Sequence, residues 1–242
     1  MEILKLDKDG NEVWKHNWGG NKEDYFFNIT MVDDGFIVCG YFRSTEGEGL
    51  VNKGAQDIII NKYDFDGNMI WQIHWGGEQN DTLSAPLVTK DGSLIFVGNS
   101  SSTNIEGLTN KGKQDAVIVK YDKNGNLIWQ KNWGGDNYDG FNSSALAEDG
   151  HIVLLASSSS TNLTGFEING ASDFLILKYD QDGNLIWQKN WGGNGSETGR
   201  KIFYIENEGY IIFGQSTSTD IEGITNKGEG DFIFLKMDLN GN

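Results

Sequence analysis

Apolar positions in this chain come in short runs separated by turns rich in glycine and aspartate, which is how strands joined by tight connections read. The clearest runs are Ile58-Ile59-Ile60, Ala116-Val117-Ile118-Val119 and Phe174-Leu175-Ile176-Leu177, apolar at every position. A strand with one wet face alternates, so these runs predict strands buried on both faces. The last of them continues to Tyr179 and is followed by the turn Asp180-Gln181-Asp182-Gly183-Asn184 and a further strand over Leu185 to Trp191. Gly183 accepts positive φ and Asp180 can take hydrogen bonds from the turn amides, so the two strands form a hairpin. Upstream, Phe141 to Leu146 and His151 to Ala156 predict two more strands around the turn Glu148-Asp149-Gly150. This stretch therefore holds four short strands.

The same stretch recurs. Trp-Gly-Gly starts at Trp18, Trp75, Trp133 and Trp191, and Lys120-Tyr121-Asp122-Lys123-Asn124-Gly125-Asn126-Leu127-Ile128-Trp129 has copies from Lys62 to Trp71 and from Lys178 to Trp187. A looser copy runs from Lys5 to Trp14, and another begins at Lys236. Four antiparallel strands per unit with a long period predict an all-β fold, a β-propeller of about four four-stranded antiparallel blades. A parallel β-helix has much shorter coils than this period of 57 to 58 residues. The expected organisation is one domain over 1–242. It holds a partial unit 1–20, full units 21–77, 78–135 and 136–193, and a last unit 194–242 lacking its fourth strand.

Composition agrees. The 242 residues include 33 Gly and 12% aromatics, too much glycine for a helical bundle and too many rings for a disordered chain. No apolar run approaches the roughly 20 residues of a membrane span, so membrane insertion is not expected. Met1-Glu2-Ile3-Leu4-Lys5 has no basic segment leading into an apolar one, and so reads without a signal peptide. The single Cys39 excludes an internal disulfide and a cysteine-based zinc cluster. Nineteen Lys and Arg against 35 Asp and Glu give a net charge of −16, which repels nucleic acid and anionic lipid.

The segments Asp115 to Asp122, Gly125-Asn126-Leu127-Ile128-Trp129, Trp133-Gly134-Gly135 and Gly98-Asn99-Ser100-Ser101-Ser102 together resemble the bacterial seven-bladed β-propeller repeat family. The resemblance extends over essentially the whole chain, with about four units where the family's name implies seven. It implies an extracellular or cell-surface location and a non-enzymatic interaction or scaffold role, with a protein or a glycan as partner. The family has no general catalytic motif, so it transfers no catalytic residue.

Candidate chemistry lies in the repeats. Trp14 and Trp18, and their copies Trp71, Trp75, Trp129, Trp133, Trp187 and Trp191, sit four apart on one strand face, suited to wedging between blades or to stacking on a sugar. A loop of constant length leads from Gly40, Gly98, Ala156 and Gly214 to Asp57, Asp115, Asp173 and Asp231, which are expected to accept loop amides. It is expected to be ordered and pinned by Leu50, Leu108, Phe166 and Ile224. A carboxylate follows each Trp-Gly-Gly: Asp24, Asp81, Asp139 and Glu197. Alternating strand direction places these at the same end as the long loops, so a ligand rim would gather them with Asn104, Glu106, Asp220 and Glu222. The competing reading is turn capping in every unit; the ligand reading would suit Ca²⁺, which takes hard oxygen ligands. No resident cofactor and no metal centre are expected: His16, His74 and His151 show no metal spacing, and Cys39 aligns with Val97, Leu155 and Phe213 as a core residue. No nucleophile elbow or phosphate loop appears, which leaves a quinone-dependent or hydrolytic enzyme as a lesser alternative beside a lectin. Residues 3–7 and 232–238 are copies of one strand, and residues 11–18 are a spare fourth strand. Pairing of 11–18 with 232–238, within the chain or in a homodimer, is therefore expected to close the ring.

Overall fold

In the computed structural model, which describes residues 1–47 and 49–242, the apolar runs fold as strands, and no helix occurs among the described residues. The strands are β1 (Glu2–Leu6), β2 (Glu12–Asn17), β3 (Tyr25–Val32), β4 (Gly35–Phe42), β5 (Glu46–Gly47), β6 (Leu50–Val51), β7 (Asp57–Tyr63), β8 (Met69–Trp75), β9 (Asp81–Leu83) and β10 (Leu87–Val88). They continue with β11 (Leu94–Ser100), β12 (Asp115–Tyr121), β13 (Leu127–Trp133), β14 (Asp139–Leu146), β15 (Ile152–Ser158), β16 (Phe174–Tyr179), β17 (Leu185–Trp191), β18 (Glu197–Ile205), β19 (Gly209–Ser216) and β20 (Asp231–Met237). The sheets are antiparallel, with orders β3-β4-β7-β8, β10-β11-β12-β13 with β9 beside β11, β14-β15-β16-β17, and β18-β19-β20; β1-β2 and β5-β6 are two-stranded. Residue 48, inside the first long-loop copy from Ser44 to Gly54, lies outside the described residues.

The chain forms two compact units. One comprises Met1–Phe96, Ser100–Thr109 and Lys120–Ile128; the other comprises Val97–Asn99, Asn110–Val119 and Trp129–Asn242.

The third strand of each four-stranded sheet is the core. Every residue of β7, β12 and β16 is buried, which is why these segments carry apolar residues on both faces. In the second unit, Val153, Leu155, Phe174 and Ile176 from one sheet close on Ile202, Tyr210 and Ile212 from the next. Where the single proline, Pro86, falls in a first strand, that strand divides into β9 and β10, because proline has no N–H to give to the ladder. In β3, β14 and β18 the first strand instead carries a bulge, at Phe26/Asn28, Phe141/Ser143 and Gly199/Lys201.

The turns between third and fourth strands are built as the sequence suggests. Asp180 Oδ1 accepts the amides of Asp182 and Asn184, and Asn184 Nδ2 donates to Asp180 Oδ2. The same bonds recur from Asp7, Asp64, Asp122 and Asp238. The glycine of each turn has positive φ, +75° at Gly183.

Among the described residues, no pairing of 11–18 with 232–238 is made within the chain. Residues 11–18 lie in and beside β2, which pairs with β1 (Glu2↔Asn17 to Leu6↔Glu12), and β20 pairs only with β19. A turn of a few residues brings β2 onto β1 at far smaller loop-closure entropy than a partner more than 200 residues away.

Candidate functional site

The carboxylates after Trp-Gly-Gly sit where the chain turns back toward the long loop, and each is occupied by the chain's own donors. Asp81, Asp139 and Glu197 are buried, while Asp24 is half-buried. The second glycine donates its N–H to each: Gly20 to Asp24 (3.0 Å), Gly77 to Asp81 (2.7 Å), Gly135 to Asp139 (2.8 Å) and Gly193 to Glu197 (2.9 Å). Two hydroxyls at the end of the second strand complete each shell, Ser100 and Ser102 on Asp81, Ser158 and Ser160 on Asp139, and Ser216 and Ser218 on Glu197. The first copy has Phe42 in place of one serine, so Asp24 has the single hydroxyl of Ser44, and its other oxygen accepts the Arg43 and Ser44 amides.

The same serines work in both directions. Ser44, Ser102, Ser160 and Ser218 Oγ accept the backbone N–H of Lys22, Gln79, Asn137 and Gly195, so each hydroxyl bridges the carboxylate and the loop that follows Trp-Gly-Gly. Asn104 and Asp220 are pins of the same kind: their side-chain oxygens accept the amides of Glu78 and Asn194, as Asn162 accepts that of Asp136. Glu106 and Glu222 are exposed on the loops. The eight candidate residues thus divide into six that tie loops together and two that face solvent. The serine pairs escaped the sequence reading, although Ser100-Ser101-Ser102 is part of the repeated motif.

A second carboxylate lies beside the first. Asp57, Asp115 and Asp173 accept the amides of Lys53, Lys111 and Asn169, as expected for the end of the long loop. They also bond the fourth strand, through His74, Asn132 and Asn190. His74 therefore stands where the other units use asparagine. The backbone of Trp-Gly-Gly passes between the two carboxylates: a Cβ on Gly192 would fall 2.3 Å from Asp173 Oδ1 and 2.4 Å from Glu197 Oε2. Only glycine fits that passage. Among the described residues, no three His, Cys, Asp or Glu converge as a metal shell.

Burial is the largest influence on Asp81, Asp115 and Asp173 and raises the pKa of each. Hydrogen bonds to the ionised forms oppose it, and the neighbouring carboxylates Asp57, Asp139 and Glu197 add to it. Asp24 is shifted the other way: burial pushes it up, but bonds from Ser44, Arg43 and Gly20 outweigh that push. The exposed turn carboxylates Asp7, Asp64, Asp122, Asp180 and Asp238 are lowered, chiefly by their asparagine partners. A raised acid favours the folded state increasingly as pH falls through its folded pKa, until its ordinary value of 3.8. A lowered one contributes above 3.8 and loses that contribution below it. Thermal melts followed by circular dichroism should therefore show stability rising from neutral pH toward the carboxylate range and collapsing beneath it. A monotonic fall from neutral pH would contradict the assignment.

The tryptophans near the turns are held by the following repeat. Trp71 and Trp129 Nε1 donate to the carbonyls of Lys123 and Gln181. The indoles of Trp14, Trp71, Trp129 and Trp187 lie against Gly67, Gly125, Gly183 and Gly241, where an added Cβ would meet the ring at 2.8 to 3.3 Å. Among the other four, Trp18 packs with Phe42 and Ile59, and Trp133 meets Phe166 of the long loop edge-on. Leu50 packs against the Trp18 cluster, so the loop is pinned there too. Cys39 is fully buried in β4, and burial raises its thiol pKa to about 12.

A repeated buried lysine was not anticipated. Lys62, Lys120 and Lys178 on the third strands are almost fully enclosed, and Lys62 reaches Asp34 at 2.8 Å and Lys178 reaches Asp149 at 3.8 Å. Lys62 and Lys178 thereby tie the hairpin ends of their sheets to a carboxylate from the turn between first and second strands.

No family model matches the chain. Over 146 residues it is 29% identical to the regulatory protein FlaEY of Caulobacter vibrioides. That alignment takes in 55% of this chain and 15% of the relative, so the chain spans a small part of the protein it matches.

Proposed function

We propose that the chain is a β-propeller repeat module that works as a non-enzymatic interaction or scaffold element at the cell exterior, with a protein partner on its long-loop surface. The observation that carries this reading is the internal use of the repeated polar groups. The carboxylates after Trp-Gly-Gly, with the serines and loop asparagines beside them, that could have formed a reactive or ligand-binding cluster are consumed in tying loops to strands. Tryptophans available for sugar stacking are instead packed on turns and loops. Outward on the long loops lie Glu106 and Glu222, equivalent carboxylates of two copies, as suits a surface that recognises a partner by shape and charge. The extracellular location rests on the resemblance to secreted propeller repeats. A match to 15% of a longer regulatory protein suits a module set among others.

The test is a parallel screen of purified protein on protein and glycan arrays and against hydrolase and dye-linked dehydrogenase substrates. Protein binding that falls at least about ten-fold in Glu106→Ala/Glu222→Ala supports the reading. Saturable glycan binding or turnover of any substrate would overturn it.

A further inference from the structure

The sheet β18-β19-β20 differs from its equivalents in what its third strand faces. Phe232 and Phe234 are 69% and 72% exposed, whereas Phe174 and Ile176, one period earlier, are fully buried against the next sheet. An apolar face of this kind marks an interaction surface. The matching position at the other end of the chain is held by β1, a copy of the same strand. There Met1 and Ile3 stand where β20 has Phe232 and Phe234. Met1 packs on Trp18, Phe42 and Ile59, and Ile3 on Phe36, Val38 and Tyr63.

β1 fills this position poorly. It forms five pairs with β2 where β16 forms six with β17, and leaves Leu4 and Leu6 about half exposed. Beside it lies an open apolar groove of about 350 Å³ lined by Ile3, Leu4, Phe26, Phe27, Ile29 and Val38. In a complete sheet that side of the third strand is occupied by a second strand, as β15 flanks β16.

We infer that the occupant is a second copy of this chain. Its β18-β19-β20 sheet docks over β3 and β4, with its β20 displacing β1 from β2 and its β19 filling the groove. The register follows from β16-β17, where Phe174, Ile176 and Lys178 face Trp191, Lys189 and Trp187. By the same spacing, Phe232, Phe234 and Lys236 of the second copy face Trp18, His16 and Trp14. Phe232 and Phe234 then take over the contacts of Met1 and Ile3 with larger side chains. Polar groups match as well: Asn190 donates to Asp173 and Asn132 to Asp115, and the equivalent pair is the exposed Asn17 with Asp231 of the second copy. Each copy offers both surfaces, and reciprocal exchange in a two-fold dimer leaves neither surface bare. The free edge of β20 is removed in the process.

Light scattering on the full chain during size-exclusion chromatography tests this. The wild type should run at twice its 26.9 kDa mass and dissociate on dilution. Phe232→Lys/Phe234→Lys should run as a monomer with an unchanged circular dichroism spectrum, since both side chains face solvent in the single chain. Leu4→Pro, which loosens β1 without touching β20, should lower the dimer dissociation constant about ten-fold or more. That last response separates strand displacement from association of exposed faces. A wild type that stays monomeric across a wide concentration range overturns the inference, as does a Leu4→Pro chain no more dimeric than wild type.

Discussion

Asp139→Ala should lower the stability of the protein by roughly 3 to 5 kcal/mol, because it strands three donors at once. The Asp139 carboxylate is buried and accepts the Gly135 N–H and the hydroxyls of Ser158 and Ser160. Each buried donor left without a partner costs about 1 to 3 kcal/mol, and alanine offers no replacement acceptor. The Ser160 hydroxyl also accepts the Asn137 amide, so its loss of orientation reaches the loop. In a chain of this size the melting temperature should fall on the order of 10 °C. Asp139→Asn retains one acceptor but aims an amide at the remaining donors, so it should recover only part of the loss. Asp180→Ala at an exposed turn makes a useful contrast, because its donors can turn to water, and its loss should be clearly smaller. Equal losses at the two sites would show that the buried shell does not hold the loop as described.

Phe174→Ala should cost about 3 to 5 kcal/mol, the range for emptying a fully buried aromatic site. Phe174 has no solvent exposure, stacks on Trp191 at 5.4 Å between ring centroids, and lies between two sheets. The neighbouring strands cannot collapse into the space without breaking ladders on both sides. Phe232→Ala changes the same residue at the same repeat position, yet that side chain is 69% exposed in the single chain, so at concentrations low enough to keep the chain monomeric its effect should stay within about 0.5 kcal/mol. Denaturant melts of the two variants would measure the difference. A small loss in the monomer that grows at concentrations favouring association would be in keeping with the dimer, whereas equal losses in the monomer would contradict the exposure of Phe232.

The third and fourth strands of the third unit were legible to the residue, and the second, read as His151 to Ala156, runs Ile152–Ser158. Phe174–Tyr179 and Leu185–Trp191 fold as read, because an unbroken apolar run bounded by an aspartate turn has few other ways to satisfy its backbone. First strands were less legible: β14 begins at Asp139 rather than Phe141, and a bulge at Phe141/Ser143 interrupts the alternation that marks a strand. The carboxylates were found by repetition and the competing capping role was stated, but their serine partners were not identified. Which donor a carboxylate meets depends on where a long loop folds back, and spacing alone does not specify that. Within the single chain, residues 11–18 take a different partner from the one expected, for a different reason. β1 and β20 are copies of one strand, so the pattern offers β2 two equivalent partners, and chain proximity decides between them.

The stacking of Trp14, Trp71, Trp129 and Trp187 on the turn glycines of the following repeats has a meaning for how such a chain can grow. Each full repeat carries both halves of its fastener, an indole that reaches forward and a glycine turn that receives the indole from behind. Duplicating a whole period therefore creates a new junction with no compensating change elsewhere, and deleting one rejoins halves that already match. A shift of the duplication boundary by a few residues preserves this property, since the period and not the starting point sets the fit. The length of such arrays is thus open to change by recombination in single-period steps, while each surviving loop remains free to diverge.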